Sequence, residues 1–244
     1  MDDSTSTDAA VPYISDEQIQ SMFAAMEQTG YCCVPNFINT KRLTRMQEFV
    51  SSAVEKSGNK YISFVGSEPV AGSGLDQLAS SSEFKSIFSR LYTAAVGSAA
   101  PPVDFYQLLR CLTGKGMEEH SFIFHYDSYL ITALIPVVIP TKGRPGDLYV
   151  IPNTRKIRKT YLANLIDKIF LDNRWSLARL RKRAQDQPAS FTRIKMIPGN
   201  LYFFWGYRSI HANEPCDPGS VRATALYHYL DPHAGSFLKS LMRR

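Results

Sequence analysis

The N-terminal part of the chain places its apolar residues at helical intervals. Ser15 and Gln18 have the spacing of a capping box, and the apolar positions that follow predict a helix that continues to about Gly30. The next residues, YCCV at 31–34, predict a short strand because they are apolar and partly β-branched. A second helix is predicted over about 40–56.

Further along, the helical pattern gives way to strands. A third helix is predicted over about 83–97, after a Gly- and Ser-rich stretch, 58–82, that predicts a loop. Eight strand-like segments follow, separated by Gly, Pro and Asn: 103–113, 121–127, 129–140, 146–153, 191–198, 200–207, 211–215 and 221–231. Eight strands after a helical start predict a mainly β fold, a jelly-roll barrel with flanking helices packed outside it.

The strand pattern is interrupted at about residues 154–188, which predicts a helical insertion between two core strands. Its apolar residues form one stripe at helical spacing, namely Leu162, Leu165, Ile166, Ile169 and Phe170. We expect this stripe to pack on the barrel, and the alternative is a lid over the mouth. We predict one domain over 15–244, in which 15–100 is mainly helical and 103–232 is the jelly-roll core with its insertion.

Composition and charge narrow the class of protein. With 44% hydrophobic and 20% charged residues among 244, the chain is not globally disordered. Its net charge of +6 is uneven, because residues 155–195 hold 12 Lys and Arg against 3 Asp and the rest of the chain is therefore negative. An anionic partner is expected at this segment, whether an anionic or carrier-linked substrate or a peripheral membrane surface, and a solvated basic face is the alternative. Nucleic-acid binding is disfavoured because the segment's aromatic residues are not interleaved with its basic ones as in a stacking platform.

The N-terminal residues and the cysteines predict a cytoplasmic protein. Residues 1–14 are polar, lack the features of a signal peptide and predict a disordered lead. The apolar run 130–140 is too short to span a membrane. The four cysteines, including Cys32 and Cys33, do not form a disulfide framework and are interpreted as small apolar residues in a reducing compartment.

The candidate chemistry begins where His125 and Asp127 stand at the mouth of that apolar run. Residues two apart on an extended chain point the same way, so this imidazole and carboxylate can hold one ion. His211, which follows another strong strand, is the candidate third ligand. Two histidines and one carboxylate on one side of an octahedron leave positions open, which is typical of non-haem Fe(II) sites.

A second pair, Arg222 and Thr224, follows eleven residues after His211 on the last predicted strand. If an α-keto acid completes the iron site, its far carboxylate needs a fixed cation, and a guanidinium matches a carboxylate in a bidentate way. Thr224 points the same way and can donate a hydroxyl hydrogen bond.

This ordered set resembles the iron(II)/2-oxoglutarate-dependent oxygenases and, within them, the phytanoyl-CoA dioxygenase-like branch. The eleven-residue step from His211 to Arg222 and the N-terminal order of helix, GYCCVPNFI and helix are similar to that branch. The resemblance implies a double-stranded β-helix that binds Fe(II) with 2-oxoglutarate as cosubstrate and consumes O2. It also implies release of succinate and CO2 with hydroxylation of a small-molecule or carrier-linked substrate. Asp127 favours hydroxylation over halogenation, and desaturation or ring closure is the alternative outcome, which depends on how the substrate is posed.

Other candidates are secondary. Asn213 and Gln107 are candidate contacts of the cosubstrate, and ordinary barrel-lining polar groups are the alternative. Trp205 and Tyr207 are candidate substrate contacts, and plain packing is the alternative. The remaining histidines are interpreted as structural or surface residues: His120, His228 and His233. His228 is an even number of residues from Arg222, so lining the barrel is its alternative.

A second class of function stays open beside the enzyme. A jelly-roll protein could hold a metal or ligand without turnover and act through its basic insertion. Arg222 and Thr224 favour the oxygenase, because a merely structural metal site does not need them. The identity of the substrate is not predicted.

Overall fold

The computed structural model describes residues 11–113 and 119–242. In that part of the chain the α-helices are α1 (Asp16–Gln28), α2 (Thr40–Lys56), α3 (Leu75–Ser80), α4 (Ser82–Val96), α5 (Tyr161–Asp172), α6 (Arg174–Asp186) and α7 (Phe237–Met242). The strands are β1 (Tyr31–Val34), β2 (Ile62–Val65), β3 (Tyr106–Thr113), β4 (Ile131–Val138), β5 (Leu148–Ile151), β6 (Thr192–Ile194), β7 (Leu201–Phe204), β8 (Ile210–Asn213) and β9 (Val221–Tyr229). No helix in this described part is long and apolar enough to cross a membrane.

The strands form two antiparallel sheets. The larger sheet has the order β1-β7-β4-β9-β3-β2, and the smaller one has the order β6-β5-β8. An isolated bridge between His125 and His211 and another between Pro145 and Cys216 extend the pairing. The predicted mainly β jelly roll with flanking helices is confirmed.

Local sequence explains the helices that flank the larger sheet. Ser15 accepts a hydrogen bond from the backbone of Gln18, whose side chain accepts from the Ser15 N–H, so the predicted capping box starts α1. Asn39 caps α2, which has the predicted bounds. Gly97 ends α4 in the left-handed region, where glycine has no steric penalty.

The apolar run of the sequence is the central strand β4, and both of its faces are covered. Ile131, Ala133, Ile135 and Val137 lie in the main hydrophobic core, which the N-terminal helices close from outside. Thr132 and Leu134 alternate with them and point to the other side, between the two sheets. The run therefore lacks charge because one face is core and the other lines a cavity.

Several sequence expectations differ from the structure. The predicted loop 58–82 contains β2 and α3, and β2 pairs with β3 at the sheet edge. The segment 121–127 is not a regular strand and pairs only through the bridge at His125. In the predicted lead 1–14, residues 1–10 lie outside the described residues, whereas Ile14 is buried in the core.

The insertion contains two helices, as predicted, but its apolar stripe does not pack on the barrel. Ile166, Ile169 and Phe170 are exposed, as is Leu162. The inward face of α5 instead buries Asn164 and Leu171. The sequence pattern located the helix but assigned the wrong face to the protein interior.

Candidate active site

The site lies between the two sheets, and strand parity decides which residues face it. On β9, Ala223, Ala225 and Tyr227 point into the main core. The intervening residues point into a cavity of about 150 Å³. They are Arg222, Thr224, Leu226 and His228. This alternation follows from the two-residue period of a strand.

Three predicted ligands meet at one end of this cavity. His125 and Asp127 come from the segment before β4, and His211 comes from β8. The Asp127 Oδ1 atom lies 3.6 Å from His125 Nε2 and 3.5 Å from His211 Nε2. One ligand atom from each residue lies within 4.8 Å of the others, so the three can share a single ion.

Hydrogen bonds fix the tautomers of both histidines. His125 Nδ1 lies 2.8 Å from the carbonyl oxygen of Ile123, and His211 Nδ1 lies 3.1 Å from that of Ser209. A carbonyl only accepts, so each Nδ1 carries a proton, and each Nε2 is directed toward Asp127 as the ring nitrogen that a metal would take. Metal-binding histidines are typically oriented in this way by a backbone carbonyl.

A short chain of hydrogen bonds holds the other oxygen of Asp127. The Thr132 hydroxyl donates to Asp127 Oδ2 at 2.5 Å, and the same hydroxyl lies 3.0 Å from His228 Nδ1. With its proton given to Asp127, the hydroxyl accepts from the Nδ1–H of His228. Oδ1 therefore remains for the ion. His228, which strand parity from Arg222 allowed to line the barrel, lies in the cavity.

Electrostatics and close packing keep the Asp127 carboxylate ionised. Burial alone would raise the pKa of Asp127, but His211, His228 and the hydrogen bond from His125 hold it well below its usual value. Gly206 allows the close approach, because a Cβ there would lie 2.1 Å from Asp127 Oδ2. The Gly206 carbonyl also accepts from the Asp127 N–H at 3.0 Å.

A buried cation at the opposite end of the cavity has no direct ion pair in the described chain, because the nearby carboxylates of Asp147 and Glu214 pair with Arg193. Arg222 donates from Nε to the Gly146 carbonyl at 2.8 Å, and no carboxylate of the described chain forms an ion pair with it. Burial lowers the pKa of Arg222 to about 10, so it remains charged at neutral pH. The Thr224 hydroxyl beside it is buried and has no hydrogen-bond partner among the described residues.

A second arginine, Arg110, lines the same cavity and was not predicted from sequence. It stands directly opposite Thr224 in the pairing of β3 with β9. Leu108 on the same strand also lines the cavity. The sequence contained a signal for Arg110, because a charged residue inside an apolar strand is uncommon, but the register of β3 was needed to place it.

The structure brings Asn213 into the site but not Gln107. Asn213 lines the cavity near His211 and donates to Ser121 Oγ at 3.4 Å. Gln107 stands opposite Tyr227, so it points to the core side of the sheet, where both of its side-chain polar atoms lack a partner in the described chain. The sequence reasoning chose the wrong parity on β3.

The structure places the two candidate substrate contacts, Trp205 and Tyr207, in packed positions away from the cavity. Trp205 is buried in the main core and meets Phe23 of α1 edge to face. Tyr207 is buried, and its hydroxyl lies 3.0 Å from His233 Nε2. Their neighbour Phe204 faces the site instead, with its ring 4.8 Å from that of His211.

The residues fit the group that the donor set implies. Two imidazoles and a carboxylate suit Fe(II), and a cavity where the described chain leaves a buried guanidinium without an ion pair and a buried hydroxyl without a hydrogen bond suits a carboxylate at that end. An unpaired buried charge is costly, so Arg222 is consistent with a site for an anion.

The chain matches no protein-family model and no curated protein sequence. Solved structures resemble it in fold. A prolyl hydroxylase from Trichoplax adhaerens, in complex with a hypoxia inducible factor oxygen degradation domain peptide fragment, has a TM-score of 0.60 and 16% identity. That match covers 91% of this chain and 94% of the other.

Two enzymes of nogalamycin biosynthesis are also similar. The non-heme alpha ketoglutarate dependent carbocyclase SnoK has a TM-score of 0.51 and 16% identity, with 90% of this chain and 87% of the other covered. The epimerase SnoN, solved in complex with Fe3+, alpha ketoglutarate and nogalamycin RO, has a TM-score of 0.51 and 13% identity, with 88% and 85% covered. The chain thus has the jelly-roll fold of non-haem, α-ketoglutarate-dependent enzymes and carries a His-Asp-His cluster between its sheets.

Proposed function

We propose that the protein is an Fe(II)- and 2-oxoglutarate-dependent dioxygenase that hydroxylates an unactivated C–H bond of its substrate. One observation carries the proposal. A cavity between the sheets has a His-Asp-His cluster at one end and a buried Arg222 at the other, where the described chain provides no ion pair for Arg222 and no hydrogen-bond partner for the Thr224 hydroxyl. The similar folds of enzymes that use α-ketoglutarate support it.

Each residue has a distinct part in this scheme. His125, Asp127 and His211 would hold the iron, while Thr132 and His228 orient the carboxylate. Bound iron and 2-oxoglutarate supply the oxidation of the C–H bond with O2, and succinate and CO2 are the coproducts.

The far carboxylate of 2-oxoglutarate has its own set of contacts. Arg222 and Thr224 would bind it, and Asn213 would line the cosubstrate's path. Arg110 adds a second cation to the cavity.

Exposure indicates the side from which the substrate approaches. The side chain of His125 is 41% exposed, whereas that of His211 is 7% exposed. The cosubstrate end at Arg222 is buried. The substrate would therefore reach the iron over His125, after 2-oxoglutarate has filled the deeper end.

The substrate class is the finer part of the proposal. The spacing of His211 and Arg222 supports the phytanoyl-CoA dioxygenase-like branch and a small-molecule or carrier-linked substrate. A peptide substrate is the competing candidate, because the prolyl hydroxylase with the highest similarity given above was solved with a peptide fragment.

The proposal is tested by titrating the Fe(II)-loaded protein with 2-oxoglutarate under anaerobic conditions and then measuring succinate after oxygen is admitted. We expect 2-oxoglutarate binding that requires Arg222 and succinate formation that requires Asp127. His120→Ala is the matched control, because His120 stacks on Tyr61 and is not part of the ligand cluster. Metal binding without 2-oxoglutarate binding would favour a non-catalytic metal protein. A screen of carrier-linked small molecules and proline peptides would then separate the substrate classes.

A further inference from the structure

The insertion displays large apolar side chains to solvent. Leu162, Ile166, Ile169 and Phe170 are spaced as one face of α5, and Trp175 lies in the first turn of α6, just after its N-cap Asn173. These five residues are called the apolar face below. They are between 45% and 74% exposed. Soluble proteins normally turn such a face inward.

The apolar face is held outward by contacts on the other side of α5. Asp167 accepts a bidentate pair of hydrogen bonds from Arg158 and a further one from the buried Arg155. Lys168 donates to Ser128 Oγ at 2.9 Å. These bonds fix the rotation of α5, so the outward orientation is built into the structure.

A second helix extends the exposed apolar surface. The C-terminal helix α7 packs against α5 and exposes Phe237 and Leu241. Exposed apolar surface of this extent typically marks an interaction site.

Positive charge near the apolar face favours an anionic partner. Exposed basic residues lie before α5 and on α6, and none of them forms an ion pair with a residue of the described chain: Lys156, Lys159, Arg174, Arg179 and Lys182. The guanidinium of Arg174 lies 5.2 Å from the ring centre of Trp175. A second copy of this chain would bring the same positive segment against itself, so its charge opposes self-association.

We propose that the α5–α6 pair is a peripheral docking surface for an anionic lipid bilayer. Phe170 and Trp175, on either side of Asn173, enter the boundary between headgroups and acyl chains, where tryptophan is favoured. The surrounding lysines and arginines contact anionic headgroups. The proposal does not depend on the oxygenase chemistry, since none of these residues belongs to the site between the sheets.

The two tryptophans of the chain provide a direct readout. Trp205 is buried in the core and Trp175 is exposed. Adding vesicles of phosphatidylcholine with about one third phosphatidylserine to the full chain should shift tryptophan emission to shorter wavelength. Brominated acyl chains should quench it. Both effects should disappear in Trp175→Phe, which retains an aromatic side chain and should still bind.

Cosedimentation with the same vesicles separates the contributions of the apolar and the basic residues to binding. We expect Phe170→Ser/Trp175→Ser and Arg179→Gln/Lys182→Gln each to lower the partition coefficient by about tenfold or more, and vesicles of phosphatidylcholine alone to bind weakly. The matched controls, Tyr13→Ser for an exposed aromatic residue and Lys60→Gln/Lys142→Gln for two exposed lysines, should bind like the parent.

Three outcomes would overturn the proposal. The parent protein could fail to bind anionic vesicles, or Phe170→Ser/Trp175→Ser could bind them as the parent does. In the third outcome the parent protein does not bind vesicles and instead forms a dimer in sedimentation equilibrium. The double substitution Phe170→Ser/Trp175→Ser abolishes that dimer. The occupant would then be a second copy of the chain.

Discussion

Replacing Arg222 by methionine should weaken 2-oxoglutarate binding by at least two orders of magnitude without destabilising the ligand-free protein. Burial lowers the pKa of Arg222 from 12.5 to about 10. At about 1.4 kcal/mol for each pH unit, this corresponds to a net cost of roughly 3 kcal/mol for the buried charge, of which desolvation is the largest cause. A depressed pKa on a basic group means that the unfolded chain binds the proton more tightly, so the cost is fully present at neutral pH and falls only above pH 10.

Two effects of opposite sign follow for stability. Methionine removes the desolvation cost but also the hydrogen bond to the Gly146 carbonyl, whose loss costs about 1–3 kcal/mol when the carbonyl is left unpaired. The free energy of unfolding should therefore be unchanged or higher by up to about 2 kcal/mol. The substitution also removes one partner of the buried charged pair formed with 2-oxoglutarate. This loss costs about 3–5 kcal/mol and lowers the affinity for 2-oxoglutarate by two to more than three orders of magnitude.

Denaturant unfolding of the metal-free protein and anaerobic calorimetry of the Fe(II)-loaded protein measure these two quantities. Arg90→Met is the matched control, because Arg90 bonds to Asp16 on the outer helices, and its loss should leave 2-oxoglutarate affinity unchanged. The reasoning is refuted if Arg222→Met lowers the free energy of unfolding by several kcal/mol while 2-oxoglutarate still binds with parental affinity.

Further predictions concern the metal end and the core. Asp127→Ala should lose Fe(II) binding and keep the fold, and iron content with near-ultraviolet circular dichroism measures both; parental iron content would remove Asp127 from the ligand set. Thr132→Val should weaken Fe(II) binding about 10- to 100-fold because the Asp127 oxygen loses its donor, and Thr132→Ser should restore it; equal affinities in all three proteins would contradict the orienting role. Gly206→Ala should lower iron affinity because the added methyl group would clash with the Asp127 carboxylate. An unchanged metal titration would show that the backbone around residue 206 shifts to accommodate the methyl group. Gln107→Leu should leave 2-oxoglutarate affinity unchanged and raise the unfolding midpoint, since both side-chain amide atoms are buried without partners in the described chain. Weaker 2-oxoglutarate binding by this variant would show that Gln107 contributes to the cosubstrate site.

The sequence predicted best those features that depend on local chemistry. The capping box at Ser15 and the apolar spacing of α2 determine helix starts within a few residues, so both helices are where the pattern predicts them. His125 and Asp127 share a face because they are two apart on extended chain. The same rule relates Arg222 to Thr224.

Features that depend on strand register could not be predicted. Gln107 and Arg110 lie on the same strand, and only the pairing of β3 with β9 shows that Arg110 faces the cavity. Trp205 and Tyr207 were expected near the substrate, but the parity of β7 directs Phe204 there. A residue pattern with a period of two shows two faces without showing which one faces the site.

The insertion shows a different limit. Its stripe was expected to pack on the barrel, because amphipathic helices usually turn their apolar face inward. The pairing of Asp167 with Arg155 and Arg158 fixes α5 the other way round. Such polar contacts are not visible in a hydrophobic pattern.

Oxygen-dependent conversion of 2-oxoglutarate to succinate by the Fe(II)-loaded protein tests the central claim most directly. The assay compares the parent with Asp127→Ala and Arg222→Met, each with and without iron. The account predicts that the iron-loaded parent forms succinate in step with O2 consumption and that both variants remain at the level of the iron-free control. Succinate formation that is equal in the parent and in Asp127→Ala, or its absence from a parent that binds both Fe(II) and 2-oxoglutarate, would contradict it.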